Sequence, residues 1–152
     1  MNHGLSHLAN VCGLGDPQNE PLRLAFGLAC ALRVRHLLED AGALRCLSVL
    51  EAFVNGGLDR PTLEAARQEI AEIANGHRGS ASIDGSAHAA VSATYAVANA
   101  LAGRALEAAG YAAYAAVYAY GGYAVTDPSA FEGEFAWQIE KLRELAGFPV
   151  DP

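Results

Sequence analysis

Three side chains that could bind a metal lie close together near the middle of the chain. His77, Asp84 and His88 lie in or beside the polar stretch from Gly76 to Ser86, whose glycines and serines predict an exposed loop. Imidazole and carboxylate groups are ligands of transition metals. The spacing of these three residues matches no zinc motif, because they contain no His-x-x-x-His pair on one helix and no cysteine pair lies nearby. A metal site and ordinary loop polarity are therefore the two interpretations of these residues.

No residue pattern typical of an enzyme is found along the chain. No serine, cysteine or threonine lies in a nucleophile elbow, and Gly13-Leu14-Gly15 precedes Asp16-Pro17 rather than the helix of a phosphate-binding loop. Glu69 and Glu72 are one helical turn apart, but the Glu-x-x-His partners of a di-metal site are absent. We therefore expect no enzyme activity and no cofactor.

The six tyrosines are the most distinctive side chains of the sequence, because all of them lie between Tyr95 and Tyr123. Tyr111, Tyr114 and Tyr118 follow the three- and four-residue spacing of one helical face. Such a stripe is typical of a packed core whose hydroxyl groups reach solvent. The alternative interpretation is a protein interface, where tyrosine is enriched. On the second interpretation, a partner binds at Tyr111, Tyr114, Tyr118 and Tyr123.

Helices must position these side chains, since no alternating strand pattern occurs. From Ala87 to Tyr120 the chain consists almost entirely of helix-forming residues. One helix of that length would span about 50 Å, which is too long for a domain of this size. We therefore expect an alanine-rich antiparallel pair of helices, with a turn between Gly103 and Gly110.

The whole chain is predicted to be all-α. Residues 1–20 are expected to be an irregular leader, residues 21–147 a single compact bundle of about six helices, and residues 148–152 a tail. Asp59 and Pro61 predict one helix start, and Gly56-Gly57 predicts a helix end. The loop from Gly76 to Ser86 is the clearest internal break.

Composition narrows the range of partners and compartments. The 152 residues carry a formal net charge of -7 and no basic cluster, so neither nucleic acid nor an anionic membrane is an expected partner. The uncharged stretch from Ala108 to Thr126 is too poor in leucine, isoleucine and phenylalanine to predict a membrane span. Cys12, Cys30 and Cys46 are odd in number and widely spaced, and the first residues lack a secretory signal, so we expect a cytoplasmic protein.

The sequence also resembles a bacterial family of alanine-rich, all-helical immunity proteins over roughly residues 20 to 145. The resemblance lies in short motifs of both halves: Leu22-Arg23-Leu24, Cys30, Arg33, His36-Leu37-Leu38, Arg45, Gly57-Leu58, Ala65-Ala66-Arg67, His88, Gly110, Tyr118 and Trp137-Gln138. It implies a cytoplasmic bacterial helical protein that neutralises a toxin, or a related module of unknown role, and it brings no catalytic residues. The tyrosine content and the polar loop depart from the family pattern, so the identity of the partner stays open.

These observations favour a protein-interaction function. The expected partner is a protein, with a basic toxin domain as one candidate because acidic surfaces speed association with basic partners. Self-association into a homo-oligomer is a further alternative. The alternative from another class is a helical bundle that binds a small molecule or a metal through His77 and His88 or through the tyrosine-lined face.

Overall fold

The computed structural model describes residues 1–76 and 86–148, and these ranges contain only helices and connecting segments. The α-helices are α1 (His3–Val11), α2 (Glu20–Arg33), α3 (Ala41–Val54), α4 (Arg60–Asn75), α5 (Ser86–Leu101), α6 (Ala105–Tyr120) and α7 (Glu132–Ala146). Short 3₁₀ segments lie at Pro17–Asn19, Arg35–Leu37, Gly122–Thr126 and Pro128–Phe131. The all-α prediction is confirmed, with seven helices where about six were expected.

Helices α5 and α6 form the alanine-rich antiparallel pair that the sequence predicts. Their facing sides bury small residues, among them Ala93, Ala96, Ala108 and Ala112. Alanine has the highest helix propensity, and its small side chain lets two backbones approach closely. The turn between the helices lies at residues 102–104, where Gly103 adopts the left-handed conformation with φ +75°. It therefore falls at the N-terminal limit of the predicted interval.

Helix α2 also packs closely against α5. A side-chain carbon placed on Gly27 would lie 3.1 Å from the Cα atom of Ala100 and 3.2 Å from its Cβ atom. The absence of a side chain at Gly27 therefore sets the separation of α2 and α5. On the other side of α5, the Arg67 guanidinium of α4 donates a hydrogen bond to the carbonyl oxygen of Leu101, so α4 caps the last turn of α5.

One apolar core receives residues from all seven helices. Its largest fully buried side chains are Phe26, Leu24, Leu47, Leu50, Leu63, Ile70, Leu101 and Leu142. A smaller cluster lies between the C-terminal half of α6 and the start of α7. It is formed by Ala113, Val117, Ala124 and Phe131.

The prediction of an irregular leader over residues 1–20 is wrong, because α1 occupies His3–Val11. The Asn2 side chain accepts a hydrogen bond from the Leu5 amide at 3.1 Å and caps the helix start. Leu5 and Leu8, one turn apart, are both buried. Gly13, with φ +68°, ends the helix. Tertiary packing thus stabilises a segment whose apolar pattern is too short to predict a helix.

Two helix ends, at Gly56 and at Asp59, lie where the sequence predicts them. The Asp59 carboxylate accepts a hydrogen bond from the Thr62 amide at 2.9 Å, and α4 begins at the next residue, Arg60. Gly56 has φ +81° and ends α3, as the Gly56-Gly57 pair predicts. The C-terminal residues 149–152 lie outside the described ranges.

Two bidentate ion pairs join helices that are distant in sequence. Arg33 of α2 donates to both carboxylate oxygens of Glu134 in α7, at 2.7 Å and 3.2 Å. The Arg33 guanidinium also lies 4.4 Å from the ring centroid of Trp137. Arg60 of α4 donates to both oxygens of Glu20 in α2, at 2.6 Å and 2.9 Å. Hydrogen bonding to Arg60 lowers the pKa of Glu20, although a little burial opposes the shift.

Within the described ranges, none of the helices combines the length and the apolar character needed to cross a membrane.

Candidate binding surface

The tyrosines of α6 and of the 3₁₀ segment after it are the most exposed large side chains of this part of the fold. The exposed fraction is 40% for Tyr111 and 47% for Tyr114, and it rises to 79% for Tyr120 and 74% for Tyr123. Tyr118 is half-buried. All of these rings except Tyr123 extend from α6, whose other face is fixed in the core by alanine packing. The segment therefore presents aromatic area to solvent on a rigid support.

Ring contacts order part of this surface into a row, which we call the aromatic row. His88 of α5 stacks on Tyr118 with ring centroids 5.3 Å apart, and Tyr118 lies 6.1 Å from Tyr114. Tyr114 meets Phe131 edge to face at 5.2 Å, and Phe131 lies 5.5 Å from Phe135 of α7. Rings from α5, α6, a 3₁₀ segment and α7 are thus in consecutive contact, and each restricts the rotamers of the next.

The other predicted surface tyrosines form separate pairs. Tyr111 stacks on Tyr95 of α5 at 5.2 Å, beside the aromatic row on the same helix pair. Tyr123 contacts Tyr120 at 6.4 Å. These two rings line a shallow depression with the carboxylate-bearing residues Asp127 and Glu134. The four predicted tyrosines therefore belong to three ring clusters.

The aromatic row borders a cavity of about 690 Å³ between α1, α6, α7 and the two 3₁₀ segments that precede α7. Apolar and aromatic side chains form much of its wall, and neutral polar residues together with Glu107 contribute the rest. The lining residues are Met1, Asn2, Leu5, Ser6, Leu106, Glu107, Gly110, Ala113, Tyr114, Val125, Thr126, Pro128, Phe131, Phe135 and Gln138. A volume of this size is typical of sites for small molecules.

Gln138 is the buried polar side chain of the cavity wall, with 2% of its surface exposed. Its amide nitrogen donates to the carbonyl oxygen of Ala109 at 2.8 Å. Its amide oxygen accepts from Asn2 at 3.3 Å, and the same Asn2 nitrogen lies 3.3 Å from the carbonyl oxygen of Phe135. One side chain therefore links α7 to α6 and to the start of α1.

Sequence reasoning misses Phe131, Phe135 and Gln138 as parts of a site. The two phenylalanines fit the apolar stripe of the last helix, which indicates core packing. Gln138 next to Trp137 carries no signal of burial. Only the tertiary fold, which brings α1 and α6 against α7, reveals the cavity.

The predicted metal ligands are only partly placed. His77 and Asp84 lie outside the described residues, and His88 stacks on Tyr118. Within residues 1–76 and 86–148, no group of three or more histidine, cysteine, aspartate or glutamate side chains is arranged to hold a metal ion. A site that combines His77, Asp84 and His88 therefore stays a prediction.

The three cysteines are free thiols with raised pKa values. Burial raises the pKa of Cys30 to about 12, and the nearby Glu134 carboxylate adds to the shift. Burial also raises the pKa of Cys46 to about 11, together with the charge of Glu69 and a hydrogen bond from the Cys46 thiol to that carboxylate at 3.5 Å. Because the thiolate is the nucleophile, these thiols are poorly suited to catalysis.

We expect iodoacetamide at about pH 8 to alkylate Cys12 first, and Cys30 and Cys46 only after unfolding in urea, because only Cys12 is partly exposed. Mass spectrometry of tryptic peptides over time measures this order. Because folding raises the pKa values of Cys30 and Cys46, the contribution of these two thiols to the free energy of unfolding is complete below about pH 9. This contribution is lost as the pH rises towards the folded-state pKa values. Rapid alkylation of Cys30 in the native protein would contradict this burial.

Comparisons with protein-family models, with curated proteins and with solved structures find no match to this chain.

Proposed function

We propose that this protein is an interaction module that binds a protein partner through the exposed tyrosines of α6 and of the 3₁₀ segment Gly122–Thr126. In its most specific form, the proposal is an immunity-type protein of the bacterial cytoplasm that neutralises a basic toxin domain. The observation that carries it is the exposure of Tyr111, Tyr114, Tyr120 and Tyr123 on one continuous stretch of chain.

The exposure and the restricted motion of these tyrosine rings support a binding function. Exposed apolar residues are common singly, but contiguous aromatic area on a soluble domain marks interaction surfaces. Tyrosine has few rotatable bonds, so it provides contact area at a low cost in conformational entropy. Tyr111 and Tyr114 are further restricted by ring contacts with Tyr95 and Phe131. A surface that is ordered before binding loses less entropy when the complex forms.

Charge favours a basic partner. The chain carries a net charge of -7. The ion pairs Arg33–Glu134 and Arg60–Glu20 each cancel one positive and one negative charge, so they leave this negative excess unchanged. Asp127 lies beside Tyr120 and Tyr123, so a lysine or arginine there would meet both a carboxylate and ring faces. Electrostatic attraction of this kind accelerates association and weakens at high salt.

The test starts with affinity capture from the source cells, using the intact protein as bait. The captured protein is identified, purified and titrated calorimetrically against wild type and against Tyr120→Ala/Tyr123→Ala. We expect the double variant to bind at least about tenfold more weakly, because truncated interface tyrosines commonly cost more than 1 kcal/mol each. Its free energy of unfolding should change by less than about 0.5 kcal/mol, since both rings are largely exposed.

The matched control is Val11→Ser/Leu58→Ser, which removes two exposed apolar side chains from elsewhere on the surface, 59% and 38% exposed. It should retain wild-type affinity. Two results would refute a tyrosine-centred surface: both double variants bind the partner equally weakly, or neither binds it more weakly than wild type does. Analytical ultracentrifugation of the bait protein alone distinguishes self-association from binding of a different protein. If the tyrosines bind a second copy of this chain, Tyr120→Ala/Tyr123→Ala should shift the dimer towards monomer.

A further inference from the structure

We infer that the cavity between α1, α6 and α7 is a binding site for a small, uncharged, planar aromatic molecule that carries a carboxamide-type group. This site differs from the proposed partner surface, although Tyr114 belongs to both. It does not depend on the proposed partner function. The inference rests on the absence of a side chain at Gly110, on the buried amide of Gln138 and on the aromatic wall.

Gly110 keeps the wall of the cavity open. It lies in the interior of α6, where glycine is among the least favourable residues. Gly27 lacks a side chain because Ala100 packs directly against it. By contrast, no atom lies within 4 Å of the position that a Cβ atom on Gly110 would occupy. Neither a close contact nor a left-handed backbone requires glycine at this position. What Gly110 provides is space, because it lies at an exposed position of the cavity wall and the place of its absent side chain is empty.

Gln138 provides the orienting polar group. Its amide donates one hydrogen bond to Ala109 and accepts one from Asn2. A primary amide has two N–H donors and two acceptor lone pairs, so one of each is left over within the described part of the chain. At 2% exposure, bulk water reaches this amide poorly. A ligand carboxamide offers the matching acceptor and donor.

The remaining wall selects the body of the ligand. Tyr114 and Phe131 meet edge to face, and Phe135 continues the row, so a planar ring can add to an existing aromatic cluster. Leu5 and Leu106 add aliphatic surface. The ionisable groups of the lining are the Glu107 carboxylate and the α-amino group of Met1. Both residues lie at exposed positions, where their charges stay hydrated. The buried end is therefore neutral, which favours an uncharged ligand.

The probe for the test is 1-naphthamide, titrated into ¹⁵N-labelled intact protein and followed by amide chemical shifts. We expect saturable binding, with the largest shifts at the Gly110 amide and the Gln138 side-chain amide. Two comparison compounds should bind at least about tenfold more weakly. They are cyclohexanecarboxamide, which lacks the planar aromatic ring system, and 1-naphthoate, which lacks the N–H donor and is charged.

Matched leucine substitutions locate the site. Gly110→Leu should fill the cavity and weaken 1-naphthamide binding at least about tenfold. Gly133→Leu should leave it unchanged, because Gly133 is also a helical glycine with no atom within 4 Å of its Cβ position but does not line the cavity. Absence of saturable binding, equal affinity of Gly110→Leu, or shifts centred on Tyr120 and Tyr123 would each overturn the inference. The shift map needs no variant, so it decides even if a substitution impairs folding.

Discussion

Gly27→Leu is expected to lower the free energy of unfolding by about 3 kcal/mol or more, the largest effect we predict for a single substitution. Gly27 is buried where α2 crosses α5, and the nearest atom to a new Cβ would be a backbone atom, the Cα of Ala100, at 3.1 Å. A flexible side chain can rotate away from a clash, but a helix backbone in the centre of the bundle can move only if α2 shifts as a unit. Such a shift would open gaps around Phe26, which is fully buried.

Urea denaturation followed by circular dichroism measures this effect. Gly110→Ala is the control, because it makes a helical substitution of the same kind in open space and should raise stability by about 0.5–1 kcal/mol. Gly27→Ala should lie between the two, since improved helix propensity opposes a contact that is slightly too close. If Gly27→Leu were as stable as wild type, the close packing of α2 on α5 would be wrong.

Gln138→Ala should lower the free energy of unfolding by about 2–3 kcal/mol. The substitution removes the hydrogen bonds to Ala109 and Asn2, each worth about 1 kcal/mol, and enlarges the cavity beside them. Gln138→Leu keeps most of the side-chain volume and should cost less. Because Gln138 joins three helices, its loss should loosen α1 before the rest of the fold.

A double-mutant cycle with Asn2→Ala tests whether this network acts as a unit. Asn2 also caps α1 through the Leu5 amide, so the single variant should be destabilised as well. The two changes should be less than additive by about 0.5–1 kcal/mol, since each removes the same Asn2–Gln138 hydrogen bond. Additive effects in chemical denaturation would show that the two amides contribute independently.

Local signals explain which parts of the fold could be predicted. The end of α3 and the start of α4 depend on side chains next to them in the sequence, namely Gly56 and Asp59, so both were predictable. The pairing of α5 with α6 followed from a length argument. Helix α1 was not predictable, because its few apolar residues gain their stability from contacts with α7, more than a hundred residues away.

The candidate site divides in the same way. Tyr111, Tyr114 and Tyr118 share a helical face, and this spacing predicts that they lie side by side. Their grouping into clusters depends on rings from other elements, such as Phe131 against Tyr114, which the sequence of α6 does not contain. The role of Gly110 is also invisible in the sequence, where it looks like a helix break, whereas the chain breaks at Gly103.

The position of Trp137 under the Arg33 guanidinium provides an optical reporter. It is the only tryptophan of the chain, so selective excitation of indole observes one site, where α7 packs on α2 and on the core. The tyrosines, all between Tyr95 and Tyr123, are potential energy-transfer donors to that one acceptor. Loss of tyrosine-sensitised emission and change in directly excited indole emission would therefore report two different separations. The order in which these two signals change during denaturation would show whether α7 detaches before the α5–α6 pair opens.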